Sequence, residues 1–225
     1  IGEPINYPVL DQTKEFYKPT FKENLAFFYN YQVHWLYLRY LFWNFVGKQN
    51  NNHGLGFVTD GNWVSGINFV DKNYVGDISV TPTRFKNDKS HNTYFFIPFI
   101  LGIIGLIALR KNTAYLFTTL FLFLIFGLGI TIYINPLPSS ILIRERDYIF
   151  IGSYLIFSIW VGLSVIELYS RFSSLLHNKF IRPIILILIF IGAPIQLLAK
   201  GWNDHNRSHD TFPYQFAKAY LDSCP

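Results

Sequence analysis

The chain has no methionine and only one cysteine, Cys224, among its 225 residues. One cysteine cannot close an internal disulfide, so cysteine pairing does not identify the compartment. Charge is scarce too: Asp, Glu, Lys and Arg make up 15% of the residues, against about 25% in an ordinary soluble domain. The chain is therefore short of the groups that keep a surface wet. Several chemistries are excluded by missing motifs. There is no Gly-x-x-x-x-Gly-Lys-Ser/Thr loop, no Gly-x-Gly-x-x-Gly, no His-Glu-x-x-His and no cysteine ligand pair. Ser139 and Ser140 have no evident histidine partner, so a serine nucleophile is unsupported. The opening Ile1-Gly2-Glu3-Pro4 has neither the basic n-region nor the apolar h-region of a signal peptide. With no methionine and an abrupt Cys224-Pro225 end, the expectation is a piece of a longer protein.

Apolar residues are plentiful, at 51% with 19% aromatic, and they are unevenly spread. Residues 1–94 are polar and aromatic, 95–199 are mostly hydrocarbon, and 200–225 turn polar again. The net charge of +5 is carried by Lys and Arg at the ends of apolar runs. That is the pattern of membrane topology rather than of a nucleic-acid partner. Four runs meet the length expected of a bilayer crossing, about 20 residues: 94–109, 113–134, 148–169 and 180–199. The fold class expected is an all-α polytopic membrane protein with about four transmembrane helices. Pro183 falls near a helix start and Pro194 inside the last run, where it should kink the helix. Ionisable residues are nearly absent within the runs, with Glu167 close to an end. That argues against an ion-coupled pump, whose relay groups sit mid-membrane.

Orientation follows from the loops. Arg110-Lys111-Asn112 and the segment 171–182, with Arg171, Lys179 and Arg182, are the basic ones and face the cytoplasm by the positive-inside rule. The loop 135–147 and both flanks then face outward, toward the periplasm of a Gram-negative cell, although Arg144 and Arg146 on that side count against the rule. Residues 1–20 read as periplasmic loop. The stretch 21–47 would put His34 and Arg39 near the bilayer centre if it crossed, at several kcal/mol for the charge. Its Trp and Tyr content suits an interfacial or bundle-packed helix instead. Residues 48–93, rich in Gly, Asn and Asp, read as periplasmic loop, and 200–225 as the start of a periplasmic domain.

Three clusters are candidates for chemistry. Arg144-Glu145-Arg146-Asp147-Tyr148 precedes the third run. Its guanidinium groups suit bidentate binding of a lipid-linked phosphate; equally, acids and arginines neutralise one another at a helix end. Trp202-Asn203-Asp204-His205-Asn206-Arg207-Ser208-His209-Asp210 contains metal-ligand residue types at a spacing that justifies no particular site, and reads better as a polar juxtamembrane linker. Trp43-Asn44-Phe45-Val46-Gly47-Lys48-Gln49-Asn50, followed by Trp63, alternates rings with amides. Such a surface stacks on pyranose faces and bonds sugar hydroxyls, and interfacial anchoring explains the same rings. No cofactor is identified, and a divalent metal is left open.

These motifs resemble a family. Tyr31-Gln32, Arg39-Tyr40 and Trp43-Asn44-Phe45-Val46-Gly47-Lys48-Gln49-Asn50 are similar to its YQ…RY…WNF-G-RQND signature. Arg144-Glu145-Arg146-Asp147-Tyr148 with Ile159-Trp160-Val161-Gly162-Leu163 is similar to its PRERDY…IW-GL segment, and Trp202 to Ser208 resembles its NWDDHDRS motif. The family is the bacterial protein O-mannosyltransferase-like set of membrane proteins, long called a domain of unknown function and placed in the glycosyltransferase-C superfamily. The resemblance spans nearly the whole chain. It implies an inner-membrane enzyme that moves a sugar from a polyprenyl-phosphate donor to a periplasmic protein or glycan acceptor. It also implies that the catalytic carboxylate lies near the N-terminus of the full protein, in an Asp-Ser-Gly-Glu motif that is absent here. This chain then corresponds to the C-terminal membrane half. On that reading Arg144 and Arg146 meet the donor phosphate, Glu145 and Asp147 orient them, and Tyr148 sits at headgroup level. Trp43, Asn44, Lys48, Gln49, Asn50 and Trp63 contact sugar or acceptor. The chain departs from the family at Lys48 and Asn51, where a fork donor and a carboxylate are lost, and at Asn206, which replaces an acid. The alternatives are a non-catalytic scaffold within a membrane complex, or a transporter of lipid-linked substrate.

Overall fold

A computed structural model describes residues 4–9, 12–52, 57–76, 88–136, 147–175, 181–206 and 208–223, and the chain is mostly helical. It opens, however, with an antiparallel hairpin, β1 (Pro4–Val9) against β2 (Gln12–Tyr17), where loop was expected. Pro4 and Pro8 lack the N–H of a central strand, which hides the strand in the sequence. In a two-stranded ribbon each strand has an unpaired side where proline is tolerated.

Helix α1 covers residues 21–45 and begins on a capping box. The Thr20 hydroxyl accepts from the Glu23 N–H at 3.3 Å, and the Glu23 carboxylate accepts from the Thr20 N–H at 2.8 Å. From Phe28 to Leu38 the helix is π-wound, then α-helical again over Arg39–Phe45. A π turn closes five residues back, so the 3.6-residue period does not hold through this stretch. That is why the polar positions of 21–45 show no clean face in the sequence. The second half of α1 is packed in the bundle: Trp35, Leu36, Tyr37, Tyr40, Leu41, Trp43 and Phe45 are all buried.

Residues 48–93, expected as loop, contain helix α2 (Asn68–Val75) and the short strand β4 (Asn92–Thr93), which pairs antiparallel with β3 (Gly47–Lys48) at the start of the segment. The buried Asp71 carboxylate ties the turn before α2, accepting from the Ser65 N–H, the Ser65 hydroxyl and the Gly66 N–H, each at 2.8 Å. Gly47 sits at φ +144°, and a Cβ there would lie 2.4 Å from the Val64 carbonyl and 2.5 Å from that of Asn92. Three segments therefore meet over a residue that has no side chain.

The remaining helices are α3 (Ile97–Ala108), α4 (Thr113–Ile134), α5 (Ile151–Leu175, entered through a 3₁₀ turn at Asp147–Phe150), α6 (Ile181–His205) and α7 (Phe212–Asp222). Among the described residues, two helices are long and apolar enough to cross a membrane, Thr113–Ile134 and Asp147–Phe172. The first expected span is shorter than its apolar run. α3 has 12 residues, about 18 Å of rise against a hydrocarbon core of about 30 Å. Phe95 and Phe96, at positive φ, hold the preceding residues out of the helix. The last run is longer than expected and stays helical through Pro194 to His205.

The core is aromatic and joins α1 to α4 and α5. Tyr37, Tyr40, Trp43 and Phe150 form one cluster; Leu41, Phe45, Ile156, Phe157 and Trp160 form the next. Tyr37 and Ser153 share a hydroxyl–hydroxyl hydrogen bond of 2.6 Å inside it. α3 packs on α5 through small residues. A Cβ on Gly105 would lie 1.7 Å from the Trp160 carbonyl oxygen, so the backbones touch there.

Candidate functional site

α1 ends at Phe45, and the chain turns at Val46 into β3. This corner, β4, the entry to α5 and the last turns of α6 enclose a half-open cavity of about 500 Å³. Trp43, Asn44, Phe45 and Lys48 line it from the corner, and Asn92 and Tyr94 from β4 and just beyond. Asp147, Tyr154 and Ser158 come from the α5 side, and Leu197, Leu198, Gly201 and Trp202 from α6. Residues more than 150 positions apart in the chain thus share one wall.

The corner is held from behind by Arg39. This arginine is buried, and its guanidinium lies 4.1 Å from the Trp35 ring centre, 4.3 Å from Tyr40 and 4.6 Å from Trp43. It donates through Nε to the Trp35 carbonyl and through Nη1 to the Gly61 carbonyl, each at 3.0 Å. Trp43 Nε1 donates to the same Gly61 oxygen at 2.9 Å. The Lys48 ammonium lies 4.2 Å from the Trp43 ring centre, within range of a cation–π contact. The indole is therefore fixed on its rim by Gly61 and on its face by Lys48.

The candidate residues divide. Trp43, Asn44, Lys48 and Asp147 meet at the cavity. Gln49 and Asn50 do not line it; their side chains organise the loop behind. Gln49 donates to the Val58 carbonyl at 2.8 Å and accepts from the Asn62 N–H at 3.2 Å. Asn50, fully buried, donates to the Thr59 carbonyl and accepts from the Asn52 and Gly61 N–H groups. Trp63 bridges to Lys48 through the backbone and packs edge-on against Phe42 and Phe96. The Asp147 carboxylate accepts from the Tyr148 N–H at 3.0 Å, while Tyr148 itself is exposed. Arg144, Glu145 and Arg146 lie outside the described residues. Asn92, Tyr94, Tyr154, Ser158 and the α6 residues Leu197, Leu198 and Gly201 line the cavity with no local signal in the sequence to mark them. Among the described residues no three His, Cys, Asp or Glu side chains stand together as a metal site.

Chemically, the described lining offers one cation, Lys48, and one carboxylate, Asp147. Two amides and three hydroxyls, from Asn44, Asn92, Tyr94, Tyr154 and Ser158, add polar contacts. Rings of Trp43, Tyr94 and Trp202 and the leucines of α6 form the rest. Balanced charges, amides and hydroxyls beside apolar side chains suit an amphiphile with a hydroxyl-bearing head, and the volume falls in the ordinary range for ligand pockets. No family model, no curated protein and no solved structure matches the chain.

Proposed function

We propose that the chain is the membrane half of a glycosyltransferase-C-like enzyme of the protein O-mannosyltransferase-like family, and that its cavity receives the head of a polyprenyl-phosphate-linked sugar. The observation that carries this reading is the meeting of three motifs, at Trp43–Lys48, Asp147 and Trp202, on one cavity. Each belongs to a segment whose resemblance to that family is independent of the others.

Four passes through the inner membrane accompany the reading, with the basic loops in the cytoplasm and the cavity at the periplasmic end. The charge layout along α5 supports it. Asp147 and Glu167 are 20 residues apart, about 30 Å along a helix, which matches the hydrocarbon thickness. At the far end Glu167 accepts from Lys111 at 2.7 Å and from Arg171 at 2.8 Å, so the cytoplasmic charges are gathered there. α3 is too short to cross alone at right angles; as the first pass it needs its flanking turn Leu109–Lys111 and local thinning of the bilayer.

In this scheme Lys48, with Arg144 and Arg146, faces the donor phosphate. The reaction is displacement at the anomeric carbon: the acceptor oxygen forms the new bond to that carbon while its bond to the phosphate oxygen breaks. Polyprenyl phosphate leaves with the electron pair, and cations placed beside it stabilise the charge that develops. The acceptor proton passes to a carboxylate outside this chain. Asn44, Asn92, Tyr154 and Ser158 supply hydroxyl contacts, and Leu197 and Leu198 guide the first isoprene units.

The test is transfer of radiolabelled sugar from polyprenyl-phosphate donors by the full-length protein in native membranes. Wild type and the Arg144→Ala/Arg146→Ala pair are compared. Transfer that disappears in a normally folded double variant supports the enzyme and the phosphate assignment. Folded, abundant wild type that transfers from no donor overturns the enzyme in favour of a scaffold.

A further inference from the structure

Helix α7 carries a wide apolar face that no part of the described chain covers. Phe212, Phe216 and Tyr220 recur every four residues, with Tyr214 and Leu221 farther round the helix beside Lys218, and all five are 64% to 71% exposed. Phe212 and Phe216 stack with ring centres 6.1 Å apart, so the face is already assembled. Gln215, Lys218 and Asp222 fall together on the opposite side as a narrow polar stripe.

α6 supplies the neighbouring surface. Ile184, Ile187, Ile195, Leu198 and Trp202 lie on one side of that helix, each at least half exposed, and the stripe runs down to the cavity mouth at Trp202. Six residues, 206–211, separate the two helices, a leash of about 24 Å at full extension. α7 therefore starts within about 24 Å of the end of α6, just beyond the exposed stripe. Between 200 and 222 the Lys and Arg residues, Lys200, Arg207 and Lys218, are balanced by Asp204, Asp210 and Asp222. The segment offers no net charge for an acidic or basic partner, but it has the Phe and Tyr content that settles at the headgroup–acyl boundary.

We propose that α7 lies in the headgroup layer of the membrane that α6 crosses, with Phe212, Phe216 and Tyr220 in the acyl boundary and Gln215, Lys218 and Asp222 toward water. Anchored there, it holds the end of α6, which forms one wall of the cavity. The inference rests on the reading of α6 as a spanning helix. It also predicts binding driven by apolar insertion, indifferent to lipid charge.

The experiment uses the whole chain in nanodiscs of phosphatidylcholine alone, and again with phosphatidylglycerol added. In a Cys224→Ser background, Gln215→Cys, Phe216→Cys, Lys218→Cys and Tyr220→Cys are labelled one at a time with an environment-sensitive fluorophore. Ile187→Cys is labelled as a control for the span. All four α7 positions are exposed, so the fold tolerates the exchange. Quenching is read with nitroxide lipids, placed at the headgroup or the chain end, and with a water-soluble quencher. The expected result is a helical alternation. Labels at 216 and 220 are quenched several-fold more by the headgroup nitroxide than by the soluble agent, labels at 215 and 218 the reverse, in both lipid mixtures alike. Loss of the alternation, with all four labels open to the soluble agent while Ile187 is quenched from the chain end, overturns this inference and leaves the span intact. Protection of 216 and 220 from both quenchers overturns it in favour of a protein cover, a second copy included. A water-exposed label at Ile187 removes the span and the inference with it.

Discussion

Arg39 and Trp43, one helical turn apart on α1, donate to the same acceptor, the carbonyl of Gly61. The loop 57–66 is thereby fastened to the wall of the cavity through one oxygen. A lysine at 39 keeps the charge but loses the planar stack on three rings and the fork that reaches two carbonyls at once. Arg39→Lys should destabilise the protein by about 2 kcal/mol, the scale of a lost hydrogen bond to a buried charged donor. Thermal unfolding of the purified protein in detergent checks this, with a midpoint several degrees lower in the variant.

Two glycines give a matched pair. At Gly105 an added Cβ meets the Trp160 backbone at 1.7 Å, whereas at Gly162 nothing lies within 4 Å. Gly105→Ala has to pry α3 from α5 and should cost about 1–3 kcal/mol, as overpacking does. Gly162→Ala should be neutral or stabilising by up to about 1 kcal/mol through helix propensity. Equal melting shifts in the two variants would contradict the packing of α3 on α5.

Lys48 and Asn50 are two residues apart but do different things. Lys48 lines the cavity, while the buried amide of Asn50 holds three backbone groups, at Asn52, Thr59 and Gly61. Lys48→Ala should lower the affinity for a polyprenyl phosphate by roughly tenfold, one charge-assisted contact, with little change in melting temperature. Asn50→Ala should instead lower stability by about 1–3 kcal/mol by stranding buried donors. Titration of the phosphate lipid beside a thermal melt separates the two effects.

How far the sequence could be read depended on how local each cause was. α4 was legible because its apolar run carries no charge and is bounded by Asn112 and by Asn135-Pro136. Asn112 caps the helix, accepting from the Tyr115 N–H at 3.4 Å. The mixture of rings with Arg39 in 21–47 left an interfacial and a bundle-packed helix equally open, and the burial of Trp35, Tyr40, Trp43 and Phe45 is what the structure adds. The hairpin was not legible, because its prolines look like breakers until the partner strand is known. Nor could a sequence show that Gln49 and Asn50 hold a loop: an amide that binds backbone and one that binds sugar have the same composition. The cavity itself joins Lys48 to Asn92, Tyr154 and Leu197, and contacts at such separations leave no local periodicity.

The ion pairs at the far end of α5 invite overestimation. Lys111 and Arg171 are largely exposed and share Glu167 between them. Glu167→Gln should move the melting midpoint very little, and less still at high salt, because solvent and ions screen an exposed pair. A melting shift of many degrees would show that this cluster holds α3 to α5, a role that the close backbone contact at Gly105 fills instead.

The central claim is that the cavity between α1, α5 and α6 receives a phosphate-bearing polyprenyl lipid. Photolabelling in native membranes, with a benzophenone placed in the first isoprene unit of a polyprenyl phosphate, tests it most directly. The predicted outcome is crosslinking to peptides holding Trp43–Lys48 and Leu197–Trp202, competed by unlabelled polyprenyl phosphate and reduced by Lys48→Ala. Crosslinks confined to the exposed face of α4, at Phe117 and Phe121, and insensitive to competitor would contradict it.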